Sequence, residues 1–468
     1  MVFSSILFVF LYLPVTLVLY FVTPTRLRNG LLFLASIGFY FWGSGGYTLV
    51  LLFSIVSNFY LSHWIRNRRF LSPQTLVIVG VAVNVGLLGY YKYANFLIAI
   101  ASRVLVAADQ APLPPGEVAL PVGISFFTFL GISYLVDVYR GVVDPPKGLI
   151  DFGFYKSFFP QLIAGPIVRY VEIAKEIADR RPELDLLFQG AFRFSIGLGK
   201  KALIADRMGV TADRIFALHG TDLTAPLAWL GILCYTLQIY FDFSGYSDMA
   251  IGLGHVFGFH FPENFDQPYR AQNVTEFWRR WHMTLSRWFR DYLYIPMGGN
   301  RHGPIRTYAN LWTVFLLCGL WHGAGWTFIA WGAYYGVLLV AERLLLDLFG
   351  VRPSGLPGVA LTFVLVVVGW VLFRSDSLTH AYEYLVAMVG GGGPGGIYGF
   401  PYYFTHDVAF FLVLGFAISW WPFEKHGNWR GIDERLVWVK SVLSLVLLVL
   451  SAAAMSTGGF NPFIYFRF

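Results

Sequence analysis

The sequence predicts an all-α protein that crosses a membrane many times. Of its 468 residues, 56% are hydrophobic, the mean hydropathy is +0.59, and only 13% are Asp, Glu, Lys or Arg. Soluble domains carry about 25% charged residues. Apolar runs near the ~20 residues that a helix needs to cross a bilayer recur along the whole chain. We therefore expect one membrane domain over residues 1–468, with about 11 spans plus re-entrant and amphipathic helices.

The candidate spans are short apolar runs separated by polar or glycine-rich turns. The first run lacks a basic segment before it, contains Pro14 and is not followed by a small-residue cleavage site, so we expect it to be retained. The runs lie at residues 2–22, 30–43, 47–64, 75–91, 93–108, 118–138, 186–204, 226–241, 308–320, 325–346, 358–373, 407–422 and 438–455.

The distribution of basic residues predicts the orientation. Two loops, after the first and third runs, contain Arg26, Arg28, Arg66, Arg68 and Arg69. Because cytoplasmic loops are enriched in Lys and Arg, both loops should be cytoplasmic and the uncharged turn at 43–46 periplasmic. The net charge of +7 follows from such loops and does not indicate nucleic-acid binding.

The longest polar stretch, residues 262–306, has seven basic and four acidic residues, which favours the cytoplasmic side. Part of it has helical periodicity, with His282 at the edge of the apolar arc. This pattern fits an interfacial helix whose basic face meets lipid headgroups. It also fits a helix that places His282 against the core and offers arginines to an anionic ligand. The apolar arc comprises Trp278, Trp281, Leu285, Trp288, Phe289 and Tyr292, and the basic face Arg279, Arg280, Arg287 and Arg290.

His322 lies in the almost wholly apolar run 316–326. An ionisable side chain at membrane depth is costly, so it usually faces a cavity or a polar partner. Histidine is also well suited to exchange a proton near neutral pH. Glycines at 319, 323 and 325 predict a kinked or interrupted helix here, or a close approach of the backbone to a ligand. The residues alone leave a catalytic role and a simple hydrogen bond to a neighbouring helix equally open.

Two further segments break apolar sequence. Asp242 and Asp248 lie in the segment 240–250, where either could orient an imidazole or bind a hydroxyl group. A polar loop with Ser244 or Ser247 as a helix cap explains that segment equally well. Residues 159–167 contain two prolines and a glycine, and they predict a broken, re-entrant stretch.

Several site classes are excluded by the motifs. Cys234 and Cys318 lie in apolar runs and indicate neither a disulfide nor a metal site. The chain has no Gly-x-Ser-x-Gly motif and no His-Glu-x-x-His spacing. The glycine-rich segment 390–396 lacks the Lys-Ser/Thr end of a phosphate loop, and we expect a flexible loop there.

Four ordered motifs resemble the membrane-bound O-acyltransferase family. They are Trp-Arg-Arg-Trp-His at 278–282, Arg-Asp-Tyr-Leu-Tyr-Ile-Pro at 290–296, Gly-Asn-Arg at 299–301 and Leu-Trp-His-Gly at 320–323. Residues 240–254, 164–166 and 459–468 are similar to the bacterial branch that O-acetylates exported polysaccharides such as alginate and cellulose. The resemblance covers essentially the whole chain. It implies tilted helices around a central funnel or tunnel.

The resemblance also implies site residues. The near-invariant family histidine corresponds to His322 and the second histidine to His282. His322 would be a general base or would briefly carry the acetyl group, and His282 or a backbone N–H near the glycines would stabilise the oxyanion. Residues expected to bind substrate are Asp242, Asp248, Arg279, Arg280, Trp321 and Asn300.

The implied donor is acetyl-CoA, with no resident cofactor and no metal. The implied location is the bacterial inner membrane. The implied partners are lipid, the polysaccharide export machinery and a periplasmic or membrane-anchored acetyltransferase similar to SGNH hydrolases. Two other functions fit the same residues. One is a proton-coupled transporter or flippase of an acyl donor, and the other is a scaffold that only recruits a periplasmic acetylase.

Overall fold

A computed structural model describes residues 3–180, 183–421, 434–457 and 463–464, and these residues form helices and connecting segments without a β-strand. The predicted all-α class is confirmed. The helices are α1 (Phe8–Val22), α2 (Arg28–Ser44), α3 (Thr48–Asn67), α4 (Pro73–Ala107), α5 (Ile124–Tyr139), α6 (Leu149–Ser157), α7 (Phe159–Leu162), α8 (Tyr170–Ala178), α9 (Leu184–Gly199), α10 (Asp206–Phe216), α11 (Ala225–Val256), α12 (Val274–Arg280), α13 (Met283–Phe289), α14 (Gly303–His322), α15 (Trp326–Phe349), α16 (Gly355–Arg374), α17 (Leu378–Val386), α18 (Phe400–Tyr403), α19 (His406–Trp420) and α20 (Glu434–Thr457).

The chain is a multi-pass membrane protein. Six helical segments in its described part are long and apolar enough to cross a bilayer, and three shorter apolar helices accompany them. The predicted number of about 11 spans stays a prediction. The six segments are Thr25–Asn67, Pro73–Ala107, Ala225–Val256, Trp326–Phe349, Gly355–Arg374 and Val437–Thr457.

Two of the predicted span boundaries are wrong. The runs 75–91 and 93–108 form the single helix α4, because Lys92 does not end the helix but is buried 3.5 Å from the Ser125 hydroxyl. The run predicted to end at 241 continues to Val256 as α11. Segment 240–250 is therefore helical, and its interpretation as a polar loop is also wrong.

The chain divides into two compact units. The predicted single domain stays a prediction. The first unit comprises Met1–Ala191 and Ala250–Pro262. Polar side chains connect its helices. Asn84 donates to Asn58 at 2.9 Å, and the fully buried Lys156 donates to the Ser54 hydroxyl at 2.7 Å. Such bonds hold membrane helices together where apolar contacts alone give no preference over lipid.

Residues 159–167 in this unit form the predicted break. The four-residue helix α7 is followed by non-helical backbone that is buried, and Gly165 there has φ +96°. Irregular backbone inside a membrane protein is stable only where it is covered by protein or lines a cavity. Burial of this segment therefore agrees with the prediction made from its prolines and glycine.

The second unit comprises Phe192–Met249 and Glu263–Phe468. Its helices α14 and α15 form a hairpin whose backbones touch. A Cβ atom at Gly319 would collide with the Phe328 carbonyl oxygen, and one at Gly332 would collide with that of Phe315. Small residues allow such close approach between membrane helices. The α14–α15 connection is only three residues long and directly follows His322.

We expect Gly319→Ala to destabilise the protein by about 1–3 kcal/mol, because the added methyl group meets backbone that cannot rotate away. Thermal unfolding in detergent, followed by near-UV circular dichroism, measures the change. Gly38→Ala is the matched control, since a Cβ at Gly38 in α2 meets nothing within 4 Å. An equal or higher melting temperature for Gly319→Ala than for Gly38→Ala would contradict the hairpin geometry.

Candidate active site

His322 is the last residue of α14, and its side chain is buried. Its imidazole ring meets the Trp331 indole at 5.0 Å and the Phe373 ring at 5.2 Å, both edge-on. The helix ends here because Gly323 adopts an extended conformation and α15 begins at Trp326. The interruption predicted from the glycines is confirmed. The hairpin holds His322 in an aromatic pocket.

His282 lies between α12 and α13 in a left-handed conformation, with φ 44° and ψ 54°. This backbone conformation is costly for a residue with a side chain and is found mostly at functional sites. The ring is buried, and it packs edge-on against Phe243 at 4.6 Å. Burial lowers the pKa of His282 to about 3, so the imidazole is neutral near neutral pH.

The predicted continuous amphipathic helix is wrong at one point. Trp281 is extended and His282 is left-handed, so the helix breaks between α12 and α13. The predicted apolar arc nevertheless packs inward. Helical periodicity identified the buried side chains but not the break, because a single reversal of φ leaves the sequence pattern unchanged. The buried members of the arc are Trp278, Trp281, Leu285, Trp288 and Phe289.

The structure brings both histidines to one indole. The Trp321 ring centroid lies 6.1 Å from that of His282 and 4.8 Å from that of His322. Two histidines 40 positions apart in the chain therefore contact the same side chain. Trp321, predicted to bind substrate, is the side chain that they share.

A cavity of about 650 Å³ opens beside this site and is strongly basic. Its wall includes Trp278, whose ring packs at 5.6 Å against Trp331, and Trp331 in turn packs against His322. Two aromatic rings thus connect the cavity wall to His322. Glu342 is the one acidic residue in its lining. The lining arginines are Arg279, Arg287, Arg290, Arg343 and Arg352.

Glu342 has a structural role within that wall. Its carboxylate accepts the backbone N–H groups of Val274 at 2.8 Å and Thr275 at 3.2 Å. These groups begin α12, and a carboxylate there satisfies unpaired donors and the positive end of the helix dipole. Glu342 therefore fixes the helix that carries Trp278 and Arg279.

The residues predicted to bind substrate fall into two groups. Arg279 and Asn300 line the cavity, and Asn300 accepts a hydrogen bond from Tyr294. Arg280 points elsewhere, donating to Glu276 at 2.7 Å and Asp266 at 3.2 Å. Asn300 and Arg279 are therefore placed to meet a ligand in the cavity, whereas Arg280 joins its own helix to the preceding segment.

Asp242 and Asp248 on α11 make internal ion pairs. Asp242 lies 2.7 Å from Lys201 and also accepts the backbone N–H of Ile464 at 2.7 Å. Asp248 lies 2.6 Å from Lys200 and 2.9 Å from Arg193. Paired charges are the usual form of buried carboxylates at membrane depth. These contacts assign both residues a structural role, and their predicted part in substrate binding stays a prediction.

Several residues of the site were not assigned to it from the sequence, among them the two rings that pack on His322 and four polar residues. Arg343 and Arg352 flank the end of α15, far along the chain from the other arginines. Asn264 contacts His282, and Glu342 caps α12. Only the polarity of Glu342 in an apolar helix was a signal. The motif at 459–468 that resembles the family is described only at residues 463 and 464, and its other residues lie outside the part of the chain that the structure describes.

No metal centre emerges from the described ranges, in which no three His, Cys, Asp or Glu side chains come together. Both cysteines are buried, as their apolar surroundings predicted. The candidate site therefore offers two imidazoles, a shared indole and an arginine-lined cavity. Those groups are suited to proton transfer or acyl transfer with a large anionic ligand.

Two buried histidines beside a basic cavity in a multi-pass membrane protein indicate a membrane-embedded transferase. Comparison with known proteins identifies its family. The sequence model of the membrane-bound O-acyltransferase family matches residues 145–369. The chain is 42% identical to a probable alginate O-acetylase of Pseudomonas putida, with both chains covered completely. It is 38% identical to a peptidoglycan O-acetyltransferase of Helicobacter pylori over 84% of this chain and 80% of that protein.

A teichoic acid D-alanyltransferase of Bacillus subtilis is 27% identical over 57% of this chain and 72% of its own length. The chain belongs to the membrane-bound O-acyltransferase family. It is an acyltransferase. The resemblance stated from its motifs is confirmed.

Proposed function

We propose that the chain moves acetyl groups from cytosolic acetyl-CoA across the bacterial inner membrane, for O-acetylation of an exported polysaccharide. The supporting observation is the arginine-lined cavity that lies two aromatic rings from His322. Acetyl-CoA carries several phosphate groups, and arginine binds phosphate through charge-assisted, bidentate hydrogen bonds. The excess of arginine also favours the cytoplasmic side for this cavity.

The proposed reaction uses His322 as its central residue. As a general base, His322 takes the proton of an acceptor hydroxyl while the hydroxyl oxygen attacks the thioester carbonyl. The tetrahedral intermediate then collapses, the C–S bond breaks, and the CoA thiolate takes up a proton. As an acyl carrier, the imidazole nitrogen attacks the thioester, the C–S bond breaks, and the CoA thiolate takes up the imidazole proton. The hydroxyl oxygen then attacks the acetyl-imidazole, the C–N bond breaks, and the hydroxyl proton passes to the imidazole. Both routes require the buried imidazole in its aromatic pocket.

The acceptor proposed here is alginate or a related polysaccharide such as cellulose. The complete coverage of the probable alginate O-acetylase supports alginate. Acetyl-CoA is made in the cytosol, whereas the polymer is modified after export, so the acetyl group must pass the membrane. A periplasmic or membrane-anchored acetyltransferase similar to SGNH hydrolases would receive it and work beside the export machinery.

Purified protein in liposomes, supplied with radiolabelled acetyl-CoA and an alginate oligosaccharide, tests the proposal. We expect release of free CoA and label in the oligosaccharide or in an added periplasmic partner. Label that enters the vesicle lumen while still attached to CoA would indicate a transporter instead. Unchanged polymer acetylation in cells whose protein lacks both His322 and His282, with the partner still co-purifying, would indicate a scaffold.

A further inference from the structure

Asn264 is a buried amide that holds the ring of His282. Its side-chain oxygen lies 3.1 Å from His282 Nδ1, and it also accepts the Thr284 hydroxyl at 2.8 Å. Its side-chain nitrogen donates to the Ser247 hydroxyl on α11 at 3.0 Å. The backbone of Asn264 takes part as well, since its carbonyl accepts the N–H of Met283 at 2.9 Å. Asn264 thus joins α11 to the residue after the helix break.

The contacts of Asn264 decide which of its atoms faces His282. The backbone N–H of Thr284 approaches the same amide atom at 3.3 Å, and a backbone N–H can only donate. The atom that faces it must therefore be the oxygen and not the amide nitrogen. An oxygen is only an acceptor, so His282 Nδ1 must carry the hydrogen in this contact. A neutral imidazole has one N–H, and Nε2 consequently holds a lone pair.

The Nε2 atom of His282 has an unused lone pair. It is buried, and it has no hydrogen-bond partner among residues 3–180, 183–421, 434–457 and 463–464. A buried nitrogen with an unused lone pair is costly unless a substrate or water satisfies it. Its ring contacts the indole of Trp321, which also contacts His322.

We infer that Asn264 is a positioning residue that fixes the Nδ1–H tautomer of His282, so that Nε2 acts in the reaction as a hydrogen-bond and proton acceptor. This inference rests on the proposed acyl transfer at the histidine pair. When His322 carries the acetyl group, Nε2 takes the proton of the attacking hydroxyl and returns it to the departing imidazole of His322. When His322 is itself the base, Nε2 accepts a hydrogen bond only. His282 in this tautomer cannot donate to an oxyanion, which leaves that role to a backbone N–H near the α14–α15 connection.

The charged groups on the helices that surround His282 are held in ion pairs. On α11, Asp242 is paired with Lys201 and Asp248 with Lys200 and Arg193. On α12, Arg280 is paired with Glu276 and Asp266. On α14, His322 contacts the same Trp321 indole as His282. A new carboxylate at position 264 would therefore be the charge closest to His282 Nδ1.

The test is Asn264→Asp, assayed for the pH dependence of acetyl transfer in liposomes. A carboxylate beside Nδ1–H favours the imidazolium and raises the pKa of His282. Because the imidazolium has no lone pair, activity is lost as the pH falls through that pKa. We expect the acidic limb of the profile to move upward by about 1–3 pH units. Asn310→Asp is the matched control, since Asn310 is equally buried at 1% exposure and lies outside the cavity lining, and its limb should not move.

A second measurement, the tautomer of His282 in the wild-type protein, does not depend on whether Asn264→Asp folds. Nitrogen-15 NMR of histidine-labelled wild-type protein should show His282 as the Nδ1–H tautomer, assigned by the signal lost in His282→Gln. In His282→Gln the side-chain amide reaches the position of Nε2 and keeps an acceptor there. In His282→Asn the shorter amide reaches only the position of Nδ1, where it keeps the bond to Asn264. We expect His282→Gln to retain more activity than His282→Asn. An Nε2–H tautomer, or an unmoved acidic limb in a folded Asn264→Asp protein, would overturn the inference. Full activity of His322→Ala would overturn the proposed function while leaving the tautomer result valid.

Discussion

Replacement of His322 by alanine is expected to reduce acetyl transfer by about 10²–10⁴-fold, because it removes the group that accepts the proton or carries the acetyl group. The pocket around it, made by Trp331 and Phe373, belongs to the hairpin and to α16 and should persist. Initial rates of CoA release in liposomes, compared with the melting temperature of the same preparation, separate lost chemistry from lost folding.

His302→Ala is the matched control for that variant. His302 directly precedes α14 and is exposed, whereas His322 ends the helix and is buried. We expect the control to transfer acetyl groups at the wild-type rate. Equal activity of the two variants would remove His322 from the mechanism. Acid-quenched labelling of the wild-type protein then distinguishes the two routes, since an acetyl group on His322 identifies a carrier and its absence during steady turnover identifies a base.

Substitution of an arginine in the cavity is expected to raise the KM for acetyl-CoA with little change in kcat. A hydrogen bond to a charged group contributes about 1.5–3 kcal/mol, so Arg279→Gln should raise the KM by about 10-fold or more. The effect should shrink at high salt, because mobile ions screen the attraction between exposed charges. Initial rates at several donor and salt concentrations give both quantities.

A shorter acetyl donor tests whether the cavity arginines bind the nucleotide part of acetyl-CoA. Acetyl-phosphopantetheine lacks the nucleotide phosphates of acetyl-CoA, so its KM should change much less in Arg279→Gln. Arg207→Gln is the control, since Arg207 is an exposed arginine near Asp407 and is not part of the cavity lining. Equal loss with both donors, or a KM change in the control, would contradict nucleotide binding by the arginines.

Composition and periodicity predicted most of the architecture in physical terms. Apolar runs define membrane helices because an unpaired peptide group is costly in lipid, and the glycines around His322 marked a real interruption. The wrong predictions of helix boundaries concern polar side chains whose contacts cannot be seen in the sequence. Lys92 suggested a helix boundary, yet the structure buries it inside α4. The polar side chains of segment 240–250 suggested a loop, yet the segment continues the helix α11.

The candidate site was only partly visible in the sequence. His322 and His282 stood out because ionisable side chains are rare in such apolar or aromatic surroundings. Nothing in the sequence distinguished Asn264, since it lies in a polar stretch where asparagine is common. Its importance depends on a left-handed residue at 282 and on Ser247 from another helix. Tertiary contacts of this kind leave no periodic pattern in a single sequence.

The contact between Asp242 and the backbone of Ile464 also sets an order of assembly. The two residues are separated by 222 positions, whereas Lys201 precedes Asp242 in the chain. During synthesis, Lys201 can neutralise Asp242 as soon as α11 is made, long before Ile464 leaves the ribosome. Phe463 then covers Phe243, the ring that packs against His282. The neighbourhood of His282 is therefore completed only after the described helices α1–α20 have been synthesised.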